Sequence, residues 1–278
     1  EKKVEYMAYP RAVALSEVLW SSSKHKNYSD FINRLEQYQK RLDLLEVNYA
    51  NHIYSVKGKL THLNDRLTYE LNTTSSSFPI YYSTDKSFPS QLYSTPITVD
   101  TSMHIKAVVL DSKKTVLGAI FEQEINLHKG VGATIAIDKE PHPAYNAGGK
   151  GALINGISGN NKRYGDREWL GFSGEDIEIT IEFNKPTNIN SIATRFFNGN
   201  GQWIYPPKKV TVYINNDIRT YVADVSSTND LTAKFAVKFE STTVTSIRLK
   251  IPSYGIIPEG KQGAGHKPWT FIDEIIIK

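Results

Sequence analysis

The sequence predicts a mainly β protein with a short helical segment at its N-terminus. Three observations lead there. Helical periodicity is confined to residues 5–45. From residue 52 onward apolar residues alternate with polar ones. The alternating runs are separated by stretches rich in Gly, Asn, Pro and Ser that read as loops. At 278 residues the chain has room for roughly two domains. With 40% hydrophobic and 11% aromatic residues it can fill their cores, so disorder is not expected.

The first element spans residues 5–20, EYMAYPRAVALSEVLW. Tyr6, Tyr9, Ala12, Val13, Leu15, Leu19 and Trp20 nearly encircle a helix instead of lining one stripe. That pattern predicts a helix buried on most sides against something larger, so the chain is expected to start inside a domain. Glu17 within it reads as a structural carboxylate packed near Arg11, with a site residue as the other reading. A second helix follows. Ser29 is its candidate N-cap, Asp30 suits the first turn, and Phe31, Leu35, Tyr38, Leu42 and Leu45 repeat at helical spacing. Arg34, Glu36, Lys40, Arg41 and Asp43 fall mostly off that stripe, which predicts a surface helix laid over a core.

After Asn51 the period changes. Short strands are predicted at 67–71, 80–83, 97–99 and 105–110, with a loop punctuated by Asp85, Ser87 and Pro89. Strands at this spacing without helices between them indicate a small β-sandwich of the immunoglobulin or fibronectin kind. Residues 129–132 read as a boundary. Beyond it, strands at 177–183, 189–197, 209–214, 233–239, 245–251 and 270–277 predict a larger antiparallel sandwich or jelly roll with loops long enough to carry a site. The expected domains are therefore 1–51, 52–130 and 131–278.

Composition excludes several function classes. The 33 Lys and Arg against 29 Asp and Glu are scattered, so nucleic acid is not an expected partner. No apolar run reaches the ~18 residues of a membrane span. The N-terminus has no basic-then-apolar signal peptide, so any export signal is expected upstream of residue 1. With no cysteine there is no disulfide, thiolate metal site or cysteine nucleophile. The serine-hydrolase elbow, the zinc-protease helix, the phosphate-binding loop and the dinucleotide fingerprint are all missing. Asp273 with Glu274, and Glu175 with Asp176, are adjacent carboxylates, but neighbours on a strand point to opposite faces and cannot flank one bond.

What stands out is aromatic and polar chemistry on loops of the last domain. Trp169, Trp203 and Trp269 each stand at the start of an apolar strand. An aromatic face covers the C–H face of a sugar while Asn, Arg, His and Glu take its hydroxyls. A tryptophan ahead of an apolar strand also suits a core, and Trp203, close to Asn198, Asn200 and Gln202, is the one expected to be exposed. The carbohydrate-binding candidates are Trp203, Asn198, Arg195, Tyr164 and His266.

A resemblance to known families covers most of the chain. The run Y-P-R-x-x-A-L-x-E-x-x-W-S at 9–21, followed by F-x-x-R-L at 31–35, resembles the last helical part of the catalytic barrel of family 20 glycoside hydrolases, the β-N-acetylhexosaminidases. Residues 79–99, with their spaced Tyr, Asp, Pro and Tyr, resemble the small β-sandwich that follows that barrel. W-L-G-F-x-G-x-D at 169–176, W-I-Y-P-P at 203–207 and P-W-x-F-x-D-E-I at 268–275 resemble a discoidin-like domain of the coagulation factor 5/8 C-terminal type, the fold of family 32 carbohydrate-binding modules.

The resemblance implies a bacterial parent enzyme, periplasmic, cell-surface or secreted, that removes a terminal N-acetylhexosamine with retention. In that family the substrate's acetamido oxygen is the nucleophile, and an Asp-Glu pair orients it and protonates the leaving oxygen. That pair and the sugar-gripping Trp-x-Glu precede the segment with which this chain begins, so the chain alone is expected to be inactive and the missing barrel is its implied intramolecular partner. No cofactor is required. A structural calcium is implied, with Glu274 at the matched Glu and Asn155 where an Asp is usual, an exchange that weakens the site because a hard cation prefers anionic oxygen. Glycans containing N-acetylhexosamine are the implied ligands; the alternative is a purely structural role for both β domains.

Overall fold

A computed structural model describes residues 1–63, 66–146, 148–215, 218–226 and 230–278. The chain divides into two compact units, Glu1–Glu124 and Ile125–Lys278.

The first unit opens with two helices where one was expected, α1 (Lys2–Ala8) and α2 (Arg11–Trp20). Pro10 explains the break: it brings no N–H and pushes Tyr9 out of helical space, to φ −104 and ψ 136. No residue of either helix is buried. Leu15, Val18 and Leu19 are exposed and Trp20 is 89% exposed, so the face expected to pack on something larger stands open in this chain. Glu17 pairs with Arg34 at 2.6 Å instead of Arg11, whose guanidinium donates to the Met7 carbonyl at 2.8 Å.

The next helix, α3 (Tyr28–Leu44), is capped by Asn27, whose side chain accepts from the Asp30 N–H at 3.0 Å. Ser29, the expected cap, lies inside the first turn, since the helix begins one residue before it. The buried face is Ile32, Leu35, Glu36, Gln39 and Leu42, which share one side at 3.6 residues per turn. Glu36, expected off the stripe, is tolerated there because the Ser75 hydroxyl hydrogen-bonds its carboxylate.

Seven strands follow: β1 (Lys57–Leu63), β2 (Arg66–Asn72), β3 (Ile80–Ser83), β4 (Gln91–Leu92), β5 (Ile97–Thr98), β6 (Met103–Leu110) and β7 (Val116–Ile125). They form two sheets, ordered β1-β2-β5 and β4-β3-β6-β7. Tyr69 of β2 and Phe121 of β7 bring the two sheets together with ring centroids 6.4 Å apart. At Gly58 any Cβ would come 2.3 Å from the Tyr69 ring, so this strand position admits only glycine.

The second unit contains β8 (Thr134–Ile137), β9 (Leu170–Ser173), β10 (Ile177–Phe197), β11 (Lys209–Ile214), β12 (Arg219–Asp224), β13 (Thr232–Ile251), β14 (Trp269–Ile272) and β15 (Ile276–Ile277). Its order is β12-β11-β13-β10-β14-β9, with β8 and β15 also paired to β10. The runs 177–183 and 189–197, expected as two strands, are one, as are 233–239 and 245–251. The long strands β10 and β13 pair antiparallel, with register breaks between Glu182 and Thr187 and between Ile189 and Ser191. Bulges bend a strand without ending it, and Pro186 falls within the first break, where no ladder N–H is needed. The first half of β10 also pairs with β8, and its second half with β14 and β15. The layers close over Leu153, Phe172, Ile179, Phe196, Val212, Phe235, Leu249 and Ile272. The run expected as one strand over 270–277 is interrupted at residues 273–275, and this interruption carries two buried carboxylates.

Candidate functional site

At one end of the second unit, β10 runs out at Phe197, β14 enters at Trp269 and β9 begins at Leu170. The loops 155–169, 198–208 and 252–268 meet there. Their floor is aromatic. Trp169, Phe197, Ile204 and Phe271 are buried, with Tyr145, Tyr164 and Trp269 packed against them. Tyr164 meets Phe271 at 5.0 Å and Phe197 at 5.4 Å, both edge-on, the arrangement ring quadrupoles favour.

A buried ion pair ties the loops to this floor. Asp273 is fully buried and bonds Arg195, whose Nε donates to Oδ2 at 3.1 Å and whose Nη2 donates to the same oxygen. That oxygen also accepts from the Gly159 N–H at 2.9 Å. Arg195 donates in addition to the Gly159 carbonyl at 2.9 Å and to Asn161 Oδ1 at 2.6 Å. Burial pushes the Asp273 carboxyl up to about 6, against the pull of Arg195 in the opposite direction. Arg195 therefore holds the 159–161 loop in place, with most of its donors already committed.

The adjacent carboxylate turns the other way. Glu274 Oε1 accepts from His128 Nε2 at 2.5 Å and from the Gly156 N–H at 2.8 Å. His128 Nδ1 accepts from the Gly130 N–H at 3.1 Å, which places the proton of the neutral ring on Nε2, facing Glu274. Glu274 Oε2 is buried without a partner among the described residues. Burial raises the Glu274 carboxyl, and His128 opposes that. Asn155 accepts from the Ile157 N–H at 2.7 Å and donates to Glu168 Oε2 at 2.7 Å. The Glu168 carboxyl is pushed up to about 7, first by burial and further by Glu274 and Asp166. Glu274 and Asn155 thus meet around Gly156, with Glu168 as a third oxygen-bearing group. Among the described residues, no three His, Asp or Glu side chains gather as a metal cage.

Above the floor stands Trp203. A 3-10 turn over Asn200–Gln202 delivers it in the left-handed region, φ 61 and ψ 27, a strained place for a bulky side chain. Its backbone is pinned on both sides: its N–H donates to the Asn200 carbonyl at 3.1 Å and its carbonyl accepts from the Trp269 N–H at 2.8 Å. The partly buried ring stacks on exposed His266, centroids 5.0 Å apart and planes 18° from parallel. Gly263, at φ 83, lies so close that a Cβ there would come 2.7 Å from the ring. Asn198 Oδ1 accepts from Asn200 Nδ2 at 2.9 Å, and Asn198 Nδ2 donates to the Asp230 carbonyl at 3.2 Å.

All five sequence-predicted residues therefore lie at one end, in two groups. Trp203 and His266 form a stacked pair, with Asn198 and Asn200 on the loop that leads into Trp203. Arg195 and Tyr164 are built into the support. Sequence reasoning treated Asp273 only as half of a rejected dyad and passed over His128 and Glu168. A signal for the first was present: the carboxylates of TFIDEIII stand inside an otherwise apolar run, where charge survives only with a partner.

Residues 62–122 match the family model of the chitobiase/beta-hexosaminidase C-terminal domain. A beta-hexosaminidase of Porphyromonas gingivalis is 32% identical over 103 residues, 35% of this chain and 13% of that protein. The chain thus spans a small part of the length of this relative. Among solved structures, chitosan-binding module 1 of a chitosanase/glucanase from Paenibacillus sp. IK-5 shares 11% identity at a TM-score of 0.35, covering 55% of this chain and 99% of that one. The lectin domain of lectinolysin, solved with Lewis B antigen, shares 12% identity at a TM-score of 0.37, covering 55% and 96%. The CBM32 of AlyQ, solved with 4,5-unsaturated mannuronic acid, shares 15% identity at 0.34, covering 55% and 98%. By its own sequence, then, this chain holds a region similar to the C-terminal domain of chitobiases and beta-hexosaminidases.

Proposed function

We propose that this chain is the accessory C-terminal portion of an exported bacterial β-N-acetylhexosaminidase, and that its last domain binds N-acetylhexosamine-containing glycans through the Trp203–His266 face. The match over residues 62–122 supports the first half. The observation that supports the second is Trp203 itself: a tryptophan held in a strained backbone conformation, its partly exposed ring stacked on His266 near amide side chains, suits a flat, hydroxyl-bearing partner. The parent would remove terminal N-acetylhexosamine by substrate-assisted retaining hydrolysis, with its acid and orienting residues outside this sequence, and the chain alone would be inactive. A chromogenic β-N-acetylglucosaminide assay tests that last point, and turnover at an enzyme-like rate would overturn it. Glycan-array binding by the chain, lost in Trp203→Ala, tests the binding reading.

A second reading, in which both β domains only brace the barrel, draws on the commitment of Arg195 and Tyr164 to packing. An array without hits would favour it.

A structural calcium belongs to the proposal. What supports it is Glu274 Oε2, a buried carboxyl oxygen without a hydrogen-bond partner among the described residues. Glu274 would hold the ion, with Glu168 as the neighbouring carboxylate and backbone carbonyls supplying further oxygens. Asn155 fits less well, since its amide faces Glu168 and Ile157. Bound calcium would neutralise these carboxylates and fix the 155–169 loop.

A further inference from the structure

We infer that the Asn200–Gly201 bond is a site of spontaneous deamidation, and that its products release the turn holding Trp203. This chemistry belongs to the chain itself and does not depend on whether the platform binds a glycan.

An asparagine followed by glycine is prone to this reaction, because no Cβ shields the following N–H and the glycine backbone turns freely. The chain has three such pairs, at 155–156, 198–199 and 200–201. Attack needs the glycine N–H free, and the fold withholds it in two of them. Gly156 is buried and its N–H donates to Glu274 Oε1 at 2.8 Å, while the Asn155 amide is tied at both ends, to Glu168 and to the Ile157 N–H. Gly199 is also buried, and its N–H donates to the Ile204 carbonyl at 3.1 Å.

The third pair differs. Asn200, Gly201 and Gln202 are all exposed, and the Gly201 N–H makes no hydrogen bond with any described residue. Two things hold Asn200 in place. One is a single 3-10 turn, whose hydrogen bonds are poorly aligned; the other is a pair of bonds from its Nδ2, to Asn198 Oδ1 at 2.9 Å and to the Ile204 carbonyl at 3.2 Å. Opening one exposed turn belongs to the least costly local fluctuations of a fold.

In the reaction the Gly201 nitrogen bonds to Asn200 Cγ and the Cγ–Nδ2 bond breaks. Nδ2 leaves as ammonia, carrying the proton lost by the Gly201 nitrogen, and a cyclic succinimide remains. Water then opens the ring. Addition at Cγ gives aspartate; addition at the backbone carbonyl carbon gives isoaspartate, with the chain running through Cγ. No oxidant or reductant takes part. Either product disturbs Trp203. A carboxylate in place of Nδ2 turns acceptor oxygens toward Asn198 Oδ1 and the Ile204 carbonyl. Isoaspartate also lengthens the backbone by one carbon and removes from the chain the Asn200 carbonyl, which now accepts the Trp203 N–H at 3.1 Å.

Peptide mapping by mass spectrometry on the whole chain, aged in mildly alkaline buffer, tests this. Conversion is expected at Asn200 roughly tenfold faster than at Asn155 or Asn198, whose glycine N–H groups must first give up a hydrogen bond. Gly201→Ala should slow conversion at Asn200 by a similar factor. The variant keeps the turn, because its Cβ would meet only Gln262 Oε1 at 3.9 Å and the Gly201 φ lies outside the left-handed region. Hydrogen exchange at the Trp203 N–H should speed up on ageing of the original chain and stay slow in aged Gly201→Ala. Equal rates at the three asparagines, no conversion at Asn200, conversion unslowed by Gly201→Ala, or unchanged Trp203 exchange in converted chain would overturn the inference. Glycan-array results bear on binding alone, so the two readings fail separately.

Discussion

Two tryptophans show how differently apolar surface is exposed in this molecule. Trp20, at the end of α2, is 89% exposed in a row with Leu15, Val18 and Leu19, and none of the described rings stacks on it. Trp203 is partly buried, stacked on His266, pinned through its carbonyl to Trp269 and set on a left-handed backbone. The first has the character of a helix face that lacks its packing partner, held by ordinary helical geometry. The second is shaped by its neighbours, and the structure accepts backbone strain to keep it there. Exposure alone therefore says little; what separates the two rings is whether the surroundings fix them.

Changing what supports each ring tests this contrast. The largest effect is expected from Asp273→Ala. It removes the buried counter-charge of Arg195 and frees the 159–161 loop, at a cost of about 3–5 kcal/mol in chemical denaturation of the second unit. A loss under about 1 kcal/mol would mean that the loop end is not anchored by this pair.

Next is Trp203→Ala, expected to weaken glycan binding roughly tenfold or more, a larger effect on binding than on the unfolding midpoint. Trp20→Ala should leave the same binding curve unchanged, and equal losses from both substitutions would erase the distinction. Gly263→Ala probes the support of the ring directly: the added methyl meets the Trp203 ring, and the residue must keep φ 83, so a loss of about 1–2 kcal/mol in stability with weaker binding is expected. The smallest effect is expected at the helices. Asn27→Ala removes the cap of α3 and should cost about 1 kcal/mol in the first unit, with glycan binding unaffected.

Calcium adds a further test. If the ion is held at Glu274, chelation should lower the melting temperature of the second unit by several degrees, and Glu274→Gln should abolish that difference. Elemental analysis without calcium and an unchanged melting temperature would remove the ion from the account.

Much of the fold was legible because it rests on local periodicity. Strand 80–83 and strand 209–214 were read with the bounds the structure has, and the Leu35/Leu42 face of α3 follows from spacing alone. Two of the misreadings share one cause. Pro10 splitting the first helix, and Pro186 bending β10 without ending it, both depend on whether neighbouring segments supply hydrogen bonds at that point. The site was legible in residue type but not in role. Arg195 and Tyr164 have the chemistry of sugar contacts, yet Arg195 is drawn to Asp273, 78 residues away, and Tyr164 to Phe197 and Phe271.

The order of residues by itself determined the mainly β class, the helical start, the aromatic and amide-rich loops around Trp203, and the motifs that resemble hexosaminidase C-terminal regions. These are carried by spacing and residue type within about 20 positions, the range over which period and turn chemistry act. Only the tertiary structure decided which tryptophan is supported, that His128 donates to Glu274 across 146 residues, and that the adjacent Asp273 and Glu274 serve two different partners. Burial and counter-charge depend on what the fold brings close. A carboxylate in an apolar run shows that a partner must exist, while its identity is set only when distant strands meet.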